Sequence, residues 1–189
     1  MNTYDFVHLT LAAMGGEIRG RTKLQKTVYF LGVITNSLDE LGYRAHFYGP
    51  YSAEVGDAID QLKSLGFVDQ NVASAGSVDS AGFEVARYDY KLSEQGRTVV
   101  EQKKQAFPAE WRKIDKAAAI LKRAKNEDYV KLSIAAKTYF MLGEKKGTAT
   151  KAELAELASK FGWSVTKEQV EEAASYLKSL GLVNLAPKG

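Results

Sequence analysis

The sequence predicts a mainly α fold with a small β component (α+β), in two modules joined by a helical connector. Three observations predict it. Apolar residues recur at helical spacing along most of the 189 residues. One stretch, Phe83 to Leu92, alternates instead, with Ala86, Tyr88, Tyr90 and Leu92 on one face and Arg87, Asp89 and Lys91 on the other. The third observation is a repeat. VGDAIDQLKSLGFV (Val55 to Val68) returns as VEEAASYLKSLGLV (Val170 to Val183), with eight of 14 positions identical at an offset of 115. A second echo in the same order pairs Lys26–Gly32 with Lys137–Gly143 at an offset of 111, four of seven positions matching. Two ordered echoes favour duplication over chance likeness of amphipathic helices.

Each element follows from local chemistry. Thr3 to Ala13 reads as a helix that Gly15-Gly16 breaks. Thr22 to Thr35 reads as a second, with Leu24, Val28 and Leu31 on one face. Tyr43 to Tyr48 alternates and predicts an extra strand. Gly49-Pro50-Tyr51-Ser52 turns into a third helix, Ser52–Leu65, with Ser52 as N-cap and Gly66 as its stop. Val68 to Val72 then predicts a strand, Ala73 to Gly82 a long loop, and Phe83 to Leu92 the returning strand. Ser93-Glu94 caps a connector helix that breaks at Phe107-Pro108, since proline disfavours helix in the residue before it and starts a new helix well. Further helices are expected at Tyr129–Gly143, Lys151–Phe161 and Lys167–Leu180, with capping boxes at Thr150-x-x-Glu153 and Thr166-x-x-Gln169. Helices ending in leucine-glycine-apolar before a β-hairpin form the pattern of a winged helix. The division is therefore a winged helix-turn-helix module at 1–92, a basic helical connector at 93–126, and a second winged-helix-like helical module at 127–189 with little or no wing.

Four segments in fixed order carry a family resemblance. They are Gly20-Arg21-Thr22-Lys23-Leu24-Gln25-Lys26, His46-Phe47-Tyr48-Gly49-Pro50-Tyr51-Ser52, Leu65-Gly66-Phe67-Val68 and Tyr90-Lys91-Leu92-Ser93-Glu94-Gln95-Gly96. Residues 1 to about 105 resemble the YwgA-like family of bacterial and archaeal winged-helix proteins. They are more distantly similar to the Panacea domain of antitoxins, which shares a "KLQK…YF" helix and a "YGP" turn. The resemblance implies a winged-helix fold more firmly than it implies an activity.

Composition excludes several classes. Forty-five per cent hydrophobic and 26% charged residues suit a globular protein. No apolar stretch approaches the ~20 residues of a membrane span, and no basic residue precedes the early apolar stretch as in a secretory signal; the expectation is a cytoplasmic protein with no membrane association. Without cysteine, disulfides, thiolate metal sites and cysteine nucleophiles are excluded. His8 and His46 form no ligand-spaced pair, and Gly15-Gly16-x-x-x-Gly20 lacks the lysine of a phosphate loop. The expectation is a non-enzyme with no cofactor and no metal.

The net charge of +3 divides into −3 for residues 1–92, +5 for the connector and +1 for the remainder. Duplex DNA is one expected partner, as for a transcriptional regulator. Its phosphates would be met by Arg19, Arg21, Lys23 and Lys26, three of them spaced to share a helix face, and by Arg97, Lys103, Lys104, Arg112, Lys113 and Lys116 of the connector. Against it, the helix before the hairpin carries Glu54, Asp57 and Asp60 with Lys63 alone, and its repeat counterpart carries Glu168, Glu171 and Glu172 against Lys167 and Lys178. The other expectation is a protein-interaction module, an antitoxin-like neutraliser or adaptor that meets a basic partner. The aromatics Tyr43, Phe47, Tyr48, Tyr51, Tyr88 and Tyr90 read either as core or as a base-stacking platform. The stripe Trp111, Ile114, Ala118 and Leu121 reads either as packing on the chain's own modules or as a homodimer seam.

Overall fold

A computed structural model describes residues 1–78, 84–124, 128–145 and 149–183. The chain runs α1 (Thr3–Ala13), β1 (Glu17–Arg19), α2 (Arg21–Thr35), a 3-10 turn (Leu38–Leu41), α3 (Ala53–Ser64), β2 (Val68–Val78), β3 (Glu84–Leu92), α4 (Glu94–Ala106), α5 (Pro108–Arg123), α6 (Tyr129–Glu144), α7 (Lys151–Lys160) and α8 (Lys167–Ser179). It is mainly helical with one three-stranded antiparallel sheet of order β1-β3-β2. Among the described residues, no helix is long and apolar enough to cross a membrane.

Local chemistry sets most boundaries. Asn2, Ser52, Ser93, Asp128, Thr150 and Thr166 each accept a backbone N–H at the start of their helix. Both expected capping boxes form, with Glu153 and Gln169 reaching back to the cap N–H. The hairpin is locked to α4 by Ser93, whose hydroxyl donates to the Gly66 carbonyl at 2.7 Å. Gly96 then lies so close to the Phe67 carbonyl that any Cβ would collide with backbone.

The first core gathers α1, α2, α3 and the sheet around Phe6, Leu9, Leu24, Val28, Val55, Ile59, Leu62, Val68, Tyr90 and Leu92. Helix α5 joins it through Ile114, Ala117 and Ala118 and reaches a second core through Leu121. The expected connector is thus an integral layer, and its Trp111–Leu121 stripe faces inward. The second core unites Tyr29 and Phe30 of α2 with Leu132, Ala135, Ala136, Ala173, Leu177 and Leu180. A third holds Met141, Leu154, Ala158 and Trp163. Helix α2 therefore serves two cores at once, and every residue from Leu24 to Gly32 is buried.

Four expectations need correction. Tyr43 to Tyr48 is no strand: Arg44 makes an isolated antiparallel bridge to Tyr51, and a turn closes between them with Gly49 N–H donating to the His46 carbonyl at 2.9 Å. Phe47 and Tyr48 are consequently 78% and 72% exposed, whereas Tyr43, Tyr88 and Tyr90 pack into or against the first core. The expected loop at 73–82 begins later, because β2 continues to Val78 with a register irregularity after Ser74; residues 79–83 lie outside the described residues, as do Lys125 and 184–189. Strand β1 was not anticipated, and it removes Arg19 from the helix face it was expected to share with Lys23 and Lys26.

Truncating a ring shared between helices leaves a cavity that the rigid neighbours cannot close. Phe30→Ala should therefore cost about 3–5 kcal/mol in urea unfolding; a loss under about 1 kcal/mol would mean that α2 does not anchor the second core.

Candidate functional site

Two of the four segments that carry the resemblance, Gly20–Lys26 and His46–Ser52, meet face to face. Helix α2 has no solvent side at Gln25 and Lys26, so both polar heads must find partners inside. The Gln25 amide pairs with the Ser52 backbone twice, donating to its carbonyl at 2.9 Å and accepting its N–H at 3.1 Å. Lys26 Nζ donates to the Pro50 carbonyl at 2.6 Å, and the residue is only 2% exposed. Tyr43 Oη donates to the Gln25 carbonyl at 2.6 Å, and Arg21 Nη2 donates to Tyr51 Oη at 3.3 Å. Ser52 meanwhile caps α3 through Val55 N–H at 2.9 Å. One helix therefore fixes the 43–52 loop and, through it, the start of α3.

The second half of the chain closes the other side. Trp163 Nε1 donates to the His46 carbonyl at 2.6 Å. Gly49, at φ +96°, sits where a Cβ would press within 3.0 Å of the Lys137 side chain. The loop is thus held from two sides, and Phe47 and Tyr48 are exposed on it. Sequence reasoning did not identify Gln25, Lys137 or Trp163 as parts of this site. The co-occurrence of the "KLQK" and "YGPYS" segments was the available signal, and it did not reveal that they touch.

The basic residues expected to meet phosphate scatter over several environments. Arg19 is exposed on β1 and paired to Glu17 at 2.7 Å. Arg21 leans on Tyr51, and Lys23 is partly exposed on α2. Lys26, expected on the surface, is internal, because all sides of α2 are covered at that turn. Arg97 is exposed on α4 and lays its guanidinium against Gly16. Lys103 is largely covered, 2.7 Å from Asp5 Oδ1 and 4.0 Å above the Tyr4 ring. Lys104 pairs with Glu101 at 2.7 Å and lies 4.4 Å over the Trp111 ring. Arg112, Lys113 and Lys116 are exposed together on α5, with Arg112 Nε donating to the Pro108 carbonyl at 3.2 Å. Lys122 donates to the Ala13 carbonyl at 2.5 Å, where a cation suits the C-terminal end of α1.

The acidic residues of α3 and α8 lie at the surface. Glu54, Asp57 and Asp60 are exposed along α3, and Lys63, the one basic residue of that helix, pairs with Asp60 at 2.8 Å. On α8, Glu168, Glu171 and Glu172 border a groove of about 590 Å³ against α6, lined also by Ile134, Ala173, Tyr176 and Lys131. Burial pushes the Tyr176 hydroxyl up to about 12 and keeps it a neutral donor; it has no hydrogen-bond partner among the described residues. His8 is wholly buried, stacked on Phe67, and held neutral with its pKa pushed down to about 4 by burial and by the Lys103 cation. It lies in α1, away from His46 on the exposed loop.

No protein-family model matches the chain. Over 86 residues it is 36% identical to the uncharacterised protein YwgA of Bacillus subtilis strain 168. The match covers 46% of this chain and 47% of that protein, so it spans about half the length of the relative. This similarity supports a YwgA-like relationship for that part of the chain and carries no activity with it.

Burial first, and the Lys137 ammonium second, push the Lys26 pKa down to about 7. The unfolded chain restores it to about 10.4. Between those values the unfolded chain keeps a proton that the folded chain has shed, so stability rises with pH. Below the folded pKa both states are protonated and the burial penalty stands in full. Wild-type stability, followed by urea unfolding from about pH 7 to 9.5, should therefore climb more steeply than that of Lys26→Met, by up to about 1.4 kcal/mol per pH unit. Parallel curves would contradict an internal Lys26.

Proposed function

We propose that the chain is a protein-interaction module built on a winged-helix frame, an adaptor or antitoxin-like neutraliser that captures a basic segment of another protein. The order α1-β1-α2-α3-β2-β3, with β1 paired onto β3, supports the winged-helix reading of the first half. In DNA-binding members of that architecture, the helix in the place of α3 enters the major groove. Here that helix exposes Glu54, Asp57 and Asp60, which phosphate repels.

The observation that carries the proposal is the α6–α8 groove. Its floor of Ile134, Ala173 and Tyr176 offers apolar surface, and Glu168, Glu171 and Glu172 along its border give a field that attracts lysine and arginine. An apolar centre with a charged border suits an amphipathic basic helix or strand. Asp57 of α3 and Glu172 of α8 fall at the same place in the two sequence repeats, so one acidic position is common to both helices.

A second reading rests on a different surface. Arg112, Lys113 and Lys116 stand exposed together on α5 without an ion pair among the described residues. They could contact DNA phosphate from outside the helix-turn-helix and make the chain a transcriptional regulator.

Fluorescence anisotropy of labelled probes separates the two. A basic amphipathic peptide should bind, and the Glu168→Lys, Glu172→Lys double variant should weaken it by roughly tenfold or more, about 1.4 kcal/mol. The Arg112→Glu, Lys113→Glu variant should leave it unchanged. Duplex DNA bound at about 50 mM salt and lost in that second variant, with no peptide binding, would replace the interaction reading with the regulator one.

A further inference from the structure

A second groove lies between the 3-10 turn and α6, where the two halves of the chain meet. It encloses about 440 Å³ and is walled by Tyr29, Tyr43, Tyr139 and Phe140, a volume within the range of small-ligand sites. The Tyr43 and Tyr139 rings stand at 72° and 75° to that of Tyr29, with centroids 5.0 and 6.4 Å away. In these edge-to-face contacts Tyr29 is itself buried, and the aromatic surface that the groove offers comes from the partly exposed Tyr43, Tyr139 and Phe140. Asp39 and Glu144 stand exposed at the mouth, with no ion pair among the described residues. Arg44 is the one cationic side chain of the lining.

We propose that this groove binds a small organic cation, a protonated amine or quaternary ammonium carried on an apolar body. Ring faces attract a cation through their quadrupole, and the attraction grows as water is excluded. The carboxylates of Asp39 and Glu144 add a net negative field that a neutral or anionic guest cannot use. Burial pushes the Tyr29 and Tyr43 hydroxyls well above their ordinary pKa, so the walls stay neutral and the preference for a cation rests on ring faces and carboxylates alone. With walls from α2 on one side and α6 on the other, a bound cation would also tie the two halves together.

Gly143 offers a plug for the site. It is helical, and a Cβ there would meet no atom within 4 Å, so a larger side chain can enter the groove without distorting the helix.

Calorimetric titration of the full chain with benzyltrimethylammonium, benzyl alcohol and phenylacetate tests the assignment. The cation should bind roughly tenfold tighter than either of the others. Asp39→Asn with Glu144→Gln should weaken it, Arg44→Gln should tighten it, and Gly143→Leu should abolish it with the thermal midpoint retained. Glu168→Lys with Glu172→Lys, which disables the groove of the proposed function, should leave cation binding untouched. Equal binding of the three probes, no cation binding up to roughly 10 mM, or wild-type binding by Gly143→Leu would each overturn the proposal.

Discussion

From Leu24 to Gly32 helix α2 has no free side, and the rest of the molecule is arranged around that constraint. Its apolar residues serve two cores, Leu24, Val28 and Leu31 in one and Tyr29 and Phe30 in the other. Gln25 and Lys26 cannot reach water, so they hold backbone instead. Gln25 pairs with Ser52, and Lys26 with Pro50. A buried ammonium facing another cation is costly, and the Pro50 carbonyl of the 49–52 turn offsets part of that cost. The turn is therefore coupled to the integrity of the helix, and the start of α3 is coupled to the turn through the Ser52 cap.

The charge pattern takes its meaning from this packing. The basic excess that sequence assigns to a connector is partly spent inside the molecule. Lys103 neutralises Asp5, Lys104 pairs with Glu101 and covers Trp111, and Lys122 stabilises the end of α1. The acids on α3 and α8 remain largely outside. A positive total thus accompanies exposed negative charge on α3 and α8. That contrast is the ground on which a basic protein segment, and not a nucleic acid, is proposed as the partner.

Helix limits were legible because their causes are local. The Thr150 and Thr166 capping boxes, the Ser52 and Ser93 caps and the proline at 108 act within one turn of themselves. Elements that owe their form to distant partners were not legible. Strand β1 is three residues long and exists through pairing with β3, about 70 residues further on. The alternation of Tyr43 to Tyr48 signals a strand, but a turn at His46–Gly49 satisfies the backbone and turns Phe47 and Tyr48 outward. Lys26 looks like a surface residue until α6 is seen to close over it, since its charge, and not its neighbours, dominates a reading from sequence. The candidate site was legible as two motifs and illegible as a contact between them.

The central claim is that α2 makes one cooperative unit of the two halves. The chain provides its own reporters, since Trp111 packs against the first core and Trp163 lies in the third. Single-tryptophan proteins made by Trp163→Phe and Trp111→Phe can each be unfolded in urea and followed by fluorescence and far-UV circular dichroism. Shared packing on α2 predicts that, within each protein, fluorescence and circular dichroism trace one transition with a common midpoint, whichever tryptophan reports. A Trp163 signal lost well before the bulk of the helical signal would show that the second half folds independently, and would contradict the account.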